Sequence, residues 1–333
     1  MEFRSRLEDL MPAEELVFPA SPGFGKYRSI MPPESIAHPA KFNVYLVEFL
    51  IDKYTKPGDI VLDPMAGTGI LGVIAALRGR NAVQVEIESH FYAWMEKARQ
   101  NVENTPILGR KGKIINILGD ARRLSELLKQ VDAIVTSPPY GNTYLGGGDP
   151  AKRAERLIRA GHDPREFLGG TARNAVLRHY DEVDAVITSP PYAETISHKS
   201  GGPVGVKKVG VSTITARTYS ENENNIGNLP LGDISESEGR PTYFSEMLKV
   251  YSEMYKVLKP NGYAIIIIKP FIRKKQVVDL PYYTWLMMEK VGFKLEKLYK
   301  FRLPTKSFWR ILYYKKHPEV PEIAHEYVIV TVK

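Results

Sequence analysis

Asp59-Ile60-Val61-Leu62-Asp63-Pro64-Met65-Ala66-Gly67-Thr68-Gly69 is the stretch that decides the fold. Its first five residues make an apolar run of strand length. Lys56-Pro57-Gly58 bounds the run on one side, and a proline and two glycines bound it on the other. From 70 to about 77 the chain is rich in Ala, Leu and Ile and predicts a helix. Strand, glycine loop and helix open a βαβ unit. In such a unit the loop lies at the carboxyl edge of the sheet, where glycines let the backbone approach a ligand and helix-start amides favour polar or anionic groups.

Upstream, Val44, Leu46, Val47, Leu50 and Ile51 follow helical spacing and predict a helix over 42–54. Downstream the alternation continues, with strands predicted at 82–87, 113–118 and 131–136 and helices at 92–102 and 125–130. After a long irregular middle, Phe244, Met247, Leu248, Tyr251, Met254, Tyr255 and Leu258 share one helical face, and Lys259-Pro260-Asn261-Gly262 stops that helix. A strand at 263–268, a helix at 282–291 and strands at 293–301 and 327–332 complete the series. About seven strands alternating with helices predict an α/β, doubly wound, mostly parallel Rossmann-like sheet covered on both faces. Residues 1–37 hold prolines at 12, 19, 22, 32 and 33 with little periodicity and read as an extended lead-in. The chain then divides into that lead-in and one domain over 38–333, with an insertion at about 141–240.

Composition narrows the function classes. The longest apolar run, 263–268, is far too short to cross a bilayer, and the N-terminus lacks a basic-then-apolar leader pattern, so a cytoplasmic protein is expected. The chain has no cysteine, which excludes disulfides, thiolate metal sites and a thiol nucleophile; no metal is expected. Lack of cysteine with abundant proline fits a thermophile. Lys and Arg number 46 against 38 Asp and Glu, and the resulting charge of +8 favours a polyanionic partner.

The residues able to carry chemistry stand at successive strand ends. Glu86 closes the strand after the glycine loop, where a ribose diol needs a carboxylate acceptor, and Asp63 precedes the loop itself. Gly119-Asp120-Ala121 follows the next strand, and Asp120 suits an adenine amino group. The set points to an adenosine-containing cofactor, although each acid alone also fits a turn or a solvated strand end. The strand over 131–136 ends in Ser137-Pro138-Pro139-Tyr140. Two prolines fix a rigid turn that holds the Ser hydroxyl, nearby carbonyls and the Tyr ring in place. Acceptors of this kind, holding the hydrogens of an aryl amino group, leave its lone pair more able to attack, and the Tyr ring can stack on a base swung out of a helix.

Together, His38-Pro39-Ala40-Lys41-Phe42, Asp63 to Gly69, Val85-Glu86-Ile87, Gly119-Asp120-Ala121 and Ser137-Pro138-Pro139-Tyr140 resemble the motifs of the amino-methyltransferases that modify cytosine N4 or adenine N6. The resemblance covers most of 38–300. It implies S-adenosyl-L-methionine as cofactor, held near His38, Phe42, Asp63, Pro64, Ala66, Gly67, Gly69, Glu86, Asp120 and Ala121, with the target base at the tetrapeptide. Serine in first place is associated in that family with cytosine N4. A further similarity to archaeal members that act on a cytidine of small-subunit ribosomal RNA implies N4-methylcytidine or N4,N4-dimethylcytidine as product. An N4-cytosine DNA methylase and a non-catalytic nucleic-acid binder on a relic cofactor fold are the alternatives.

The tetrapeptide occurs twice. Residues 183–192 repeat 131–140 at an offset of 52 and match at eight of ten positions, with Ile and Val exchanged at the other two. The second copy ends in Ser189-Pro190-Pro191-Tyr192, and Leu168-Gly169-Gly170 upstream of it lacks the counterpart of Asp120. One methyl donor serves one tetrapeptide at a time. The first copy keeps the expected spacing after Asp120 and is the preferred catalytic loop. The second is in register with Asn225-Ile226-Gly227-Asn228-Leu229 and the helix beginning at 243, which also resemble the family pattern.

Basic residues flank both copies. Lys152, Arg153 and Arg156 lie in the insertion, and Lys207 and Lys208 follow the second copy. They either grip phosphates around a flipped nucleotide or form a solvated face. Between 302 and 316, Arg310 and other cations interleave with aromatics, which suits looped or single-stranded RNA or, equally, a hairpin burying its rings. No large domain for reading several base pairs is evident, which favours RNA over DNA as partner.

Overall fold

The computed structural model describes residues 2–19, 23–37, 42–130, 183–191, 222–232, 241–273, 275–303 and 308–333. Met1–Ser125 and Glu182–Lys333 form one compact unit; Glu126–Asp181 form another, of which only 126–130 are described. The first unit is built on a single eight-stranded sheet.

Its strands are β1 (Glu14–Leu16), β2 (Ile60–Asp63), β3 (Asn81–Glu86), β4 (Ile114–Leu118), β5 (Val183–Thr188), β6 (Leu258–Ile268), β9 (Lys294–Arg302) and β10 (His325–Val332), in the order β1-β9-β10-β6-β5-β2-β3-β4. Only β10 runs against its neighbours, so the carboxyl ends of all the others lie on one edge. A two-stranded hairpin, β7 (Phe271–Arg273) and β8 (Gln276–Val278), follows β6 at that edge. The helices are α1 (Leu7–Leu10), α2 (Pro33–Ala37), α3 (Val44–Tyr54), α4 (Ile70–Leu77), α5 (Ser89–Asn104), α6 (Leu124–Gln130), α7 (Tyr243–Val257), α8 (Leu280–Val291) and α9 (Phe308–Lys316). None of the described helices is long and apolar enough to cross a membrane.

The expected doubly wound, mostly parallel architecture is present, with three differences. The strand expected at 131–136 lies outside the described residues, and its repeat Val183–Thr188 fills the place between β2 and β6. The lead-in is not merely extended chain. Glu14–Leu16 pairs in parallel with Tyr299–Phe301 and adds an edge strand, which three residues of mixed polarity could not signal because the partner strand supplies the pairing. The aromatic-cationic segment near 310 forms helix α9 rather than a hairpin.

Local chemistry explains the boundaries. Asn43 caps α3 by accepting from the Tyr45 and Leu46 amides, and Thr242 and Ser245 form a reciprocal capping box on α7. Gly292, at φ 116°, ends α8 in a left-handed conformation that a side chain would strain. Strand β5 is buried along almost its whole length and is tied at its amino end through Asp184, whose carboxylate accepts from the Ile60 amide at 2.8 Å and from the Lys259 ammonium at 2.8 Å. The core on one face joins Val47, Leu50 and Ile51 of α3 to Leu71 and Ile74 of α4 and to Ile265, Ile267, Val328 and Val330 of the sheet.

Candidate functional site

The site is assembled from the carboxyl ends of β2, β3, β4 and β5. Asp63, the last residue of β2, is fully buried. Its Oδ1 accepts from the Met65 amide at 3.2 Å, whereas Oδ2 is buried without a hydrogen-bond partner. Burial pushes its carboxyl up to about 7. The Thr188 hydroxyl and the Met65 amide pull the other way.

The loop that follows is held against β3. Gly67, at φ 52°, donates its amide to Glu86 Oε2 at 2.7 Å, and Ala66 donates to the Val85 carbonyl at 3.0 Å. A Cβ built on Gly67 would meet nothing within 4 Å and would project into open space. At Gly69, φ 77°, the same atom would lie 2.7 Å from Met95 Cγ. The first glycine therefore opens the loop outward, and the second permits close packing of α4 on α5. Beneath them a buried polar chain fixes the start of α4. The Gly72 amide donates to Gln84 Oε1 at 3.0 Å, Gln84 Nε2 to Asn116 Oδ1 at 2.8 Å, and Asn116 Nδ2 to Glu96 Oε1 at 2.8 Å. Pro64, Ala66 and Ala121 are buried around this edge, and Phe42 is partly buried against the core.

Glu86 is almost fully buried, and burial raises its carboxyl to about 7 against the pull of the Glu88 and Gly67 amides it accepts. Asp120 caps the short 3₁₀ turn Ala121–Arg123 and is one-quarter exposed. Both its oxygens accept from the Arg122 guanidinium, which also donates to Glu246 on α7 at 2.7 Å. Asp120, first of all, holds the Arg122 guanidinium protonated more firmly than usual. With the Arg122 amide also on Oδ1, each oxygen of Asp120 already accepts twice, so a further donor would have to share or displace one of these contacts.

Sequence reasoning missed Glu88. Buried at 2% exposure, it accepts from Asn225 Nδ2 at 2.7 Å and from the Asn222 amide at 3.2 Å, so residues 222–228 dock on the end of β3. Its signal in the sequence was faint, a second acid two residues beyond Glu86. The partner motif, Asn225 to Leu229, was visible.

Of the expected site residues, Phe42, Asp63, Pro64, Ala66, Gly67, Gly69, Glu86, Asp120, Ala121, Ser189, Pro190 and Pro191 are described. His38, the first tetrapeptide Ser137, Pro138, Pro139 and Tyr140, and Tyr192, Lys152, Arg153, Arg156, Lys207 and Lys208 lie outside the described residues; Arg310 is described only as backbone within α9. β5 pairs with β2 at Val61↔Ala185 and Leu62↔Val186, so continuing that register puts Asp63 level with Ile187. Thr188 is fully buried and Ser189-Pro190-Pro191 leaves the sheet beside the glycine loop. Among the described residues no group of three or more His, Asp or Glu could hold a metal ion.

The arrangement fits an adenosine-type cofactor with a cationic end. Two buried carboxyls flank a loop that opens outward at Gly67, and the orphaned Asp63 Oδ2 needs a donor.

A family model of the N6/N4 methyltransferase type, described as DNA methylase, matches residues 24–97 and 183–333 and thus includes the second tetrapeptide copy. A tRNA (guanine(10)-N2)-dimethyltransferase of Methanothermobacter thermautotrophicus is 36% identical over 119 residues, 36% of this chain and 30% of that protein. The type II methyltransferase M2.DpnII of Streptococcus pneumoniae is 37% identical over 67 residues, 20% of this chain and 25% of that protein. The chain thus spans under a third of the length of these curated relatives. A crystal structure of a SAM-dependent methyltransferase from Methanosarcina mazei aligns over 85% of this chain and 96% of that one, at 10% identity and a TM-score of 0.40.

Proposed function

Because this chain belongs to the N6/N4 methyltransferase family of DNA methylases, with S-adenosyl-L-methionine as cofactor, we propose that it methylates the exocyclic N4 amino group of a cytidine in RNA, using Ser189-Pro190-Pro191-Tyr192 as the target-base loop. The observation that carries the choice of loop is the position of β5. The second copy's strand lies between β2 and β6, and its Ser189 follows directly on Thr188 at the edge that bears Asp63 and Glu86. The spacing after Asp120 had favoured the first copy, but spacing along the chain is a weaker guide than the neighbouring strand.

When bound, the cofactor supplies a methyl group on a positively charged sulfur. Asp63 and Glu86, both ionised, would accept from its ammonium and ribose hydroxyls, and Asp120 from its adenine amino group. The Ser189 hydroxyl and the Pro190 carbonyl would accept hydrogen bonds from the cytidine amino group, which would leave its nitrogen lone pair oriented to take the methyl group the cofactor supplies, the surplus amino proton passing to solvent. Tyr192 would stack on the base. No covalent enzyme–base bond is needed, and the chain has no cysteine to form one.

The relative that acts on the N2 amino group of a tRNA guanine supports an amino group as acceptor and leaves the base open. The test is methyl transfer from labelled cofactor to ribosomal subunits, tRNA and genomic DNA, in the parent protein and in S189A, Y192A, S137A and Y140A. We expect labelled RNA with cytidine as the modified nucleoside. Losses of roughly a hundredfold or more should follow the second-copy changes only, the scale of removing a positioned transition-state contact. Label in DNA alone would refute the RNA assignment, and loss confined to S137A and Y140A would return catalysis to the first copy.

A further inference from the structure

Two short segments, 269–278 and 302–316, carry nine of the chain's 46 cationic residues and none of its 38 carboxylates. The remainder, with 37 cations against 38 acids, is close to neutral, so the positive excess of the whole chain resides in these segments. Topology puts both at the carboxyl edge. The first follows β6, the immediate neighbour of β5, and forms the β7–β8 hairpin; the second ends β9 and forms α9.

Helix α9 has two unlike faces. Tyr313, Tyr314 and His317 lie on one face and are half-buried; Tyr313 packs against His317 at 4.9 Å, and the Tyr314 hydroxyl accepts from the Ile323 amide at 2.9 Å. Ile311, Leu312, Lys315 and Lys316 lie on the other face and are exposed, Ile311 at 41% and Leu312 at 40%. At the hairpin tip Lys275 is exposed in a left-handed backbone conformation, φ 63°. Neither Lys275 nor Lys315 nor Lys316 has an acidic partner among the described residues, whereas Lys269 faces Glu326 at 3.6 Å and Arg302 faces Glu2 at 3.0 Å.

We propose that the exposed face of α9 and the tip of the β7–β8 hairpin form an RNA-docking surface that takes the phosphates and unstacked bases of a loop beside the methyl-transfer edge. The inference rests on the methyltransferase reading above and adds where the substrate lies. Unpaired cations on the methyl-transfer edge suit phosphates, and exposed aliphatic side chains between them suit base faces that a duplex would hide. Base faces are open in a loop and stacked away in a duplex, so a looped RNA is the occupant that fits.

Binding is the direct test, read by anisotropy of a labelled stem–loop RNA at several salt concentrations. K275E/K315E/K316E is compared with K56E/K290E/K294E, an equal charge change at exposed positions toward the amino edge of the sheet. We expect at least a tenfold loss of RNA affinity for the first variant. Its salt slope should shrink by about 2, the share of three phosphate contacts to single strands. The second variant should stay within threefold of the parent. Equal losses in both, or none, would overturn the proposal. So would equal affinity for blunt duplex DNA, or a defect confined to anionic lipid vesicles. Calorimetric titration with S-adenosylmethionine runs alongside. Failure of the parent protein to bind the cofactor would sink the methyltransferase reading, while the RNA comparison would still decide the docking surface.

Discussion

Asp63 joins fold to function at a single residue. A carboxyl buried completely, with one oxygen satisfied only by the Met65 amide and the other by nothing, holds its proton up to about 7, far above an ordinary aspartate. For an acid with a raised native pKa, the folded state binds the proton more tightly than the unfolded state. Stability from this group is therefore complete below about 4, declines as pH rises toward about 7, and is flat above it. Without cofactor, the melting temperature should fall across that window, and D63N should remove much of the decline. Cofactor binding has the opposite slope. In the proposed site Asp63 and Glu86, the latter also raised to about 7 by burial, would hold the ligand's ammonium and hydroxyls more tightly when ionised than when protonated. S-adenosylmethionine affinity should therefore weaken as pH falls below 7 and level off above it. Titrations by calorimetry between pH 5.5 and 8.5 test both signs, and an affinity independent of pH would remove these carboxylates from the site.

At the scale of elements, the sequence was most legible where a local rule and the tertiary packing agree. The glycine loop after β2, the apolar run of β3 and the helical stripe of α7 all lie within a residue or two of their expected bounds, because burial of one face demanded the periodicity that announced them. It was least legible where pairing alone makes the element. Glu14–Leu16 is a strand only because β9 offers it an edge, and the aromatic-cationic segment, which suited a hairpin burying its rings or an RNA contact, forms helix α9. The choice between the two tetrapeptide copies was not legible in their own residues, since an exchange of Ile and Val leaves volume and β-preference unchanged; the position of β5 between β2 and β6 is what supports the proposal for the second copy. This equivalence makes a prediction. Excising residues 131–182 joins Gln130 to Val183, the same residue pair as Gln130 and Val131, and leaves one copy of strand and tetrapeptide. The shortened protein should melt within a few degrees of the parent and bind S-adenosylmethionine with similar affinity. A chain that fails to fold, judged by circular dichroism and a lost cooperative transition, would show that the excised residues complete the domain.

For the whole molecule, the N-terminal residues close one margin of the sheet. β1 covers β9 on the side that would otherwise offer unpaired backbone groups to another chain. The segment is fastened along its length. Ser5 Oγ donates to Asp279 Oδ1 at 2.7 Å and the Arg6 amide to Asp279 Oδ2 at 2.8 Å, which ties the strap to the capping residue of α8. Leu7 is fully buried, and Glu8 accepts from the Tyr327 hydroxyl at 2.7 Å and the Lys300 ammonium at 3.0 Å. Phe18 packs edge-on against Phe49 and Phe301. Removing residues 1–18 would strip one burial of a leucine, worth about 2 kcal/mol, and leave Glu8's former partners and Asp279 short of bonds at about 1 kcal/mol each. None of these contacts touches Asp63, Glu86 or the glycine loop. The truncated protein should therefore melt several degrees lower and self-associate through the bared β9 edge, while any monomer that remains keeps its cofactor affinity. Thermal denaturation with light scattering, beside calorimetry on the monomer fraction, reads all three. Cofactor affinity lost in step with stability would mean that the strap supports the site itself rather than the sheet margin.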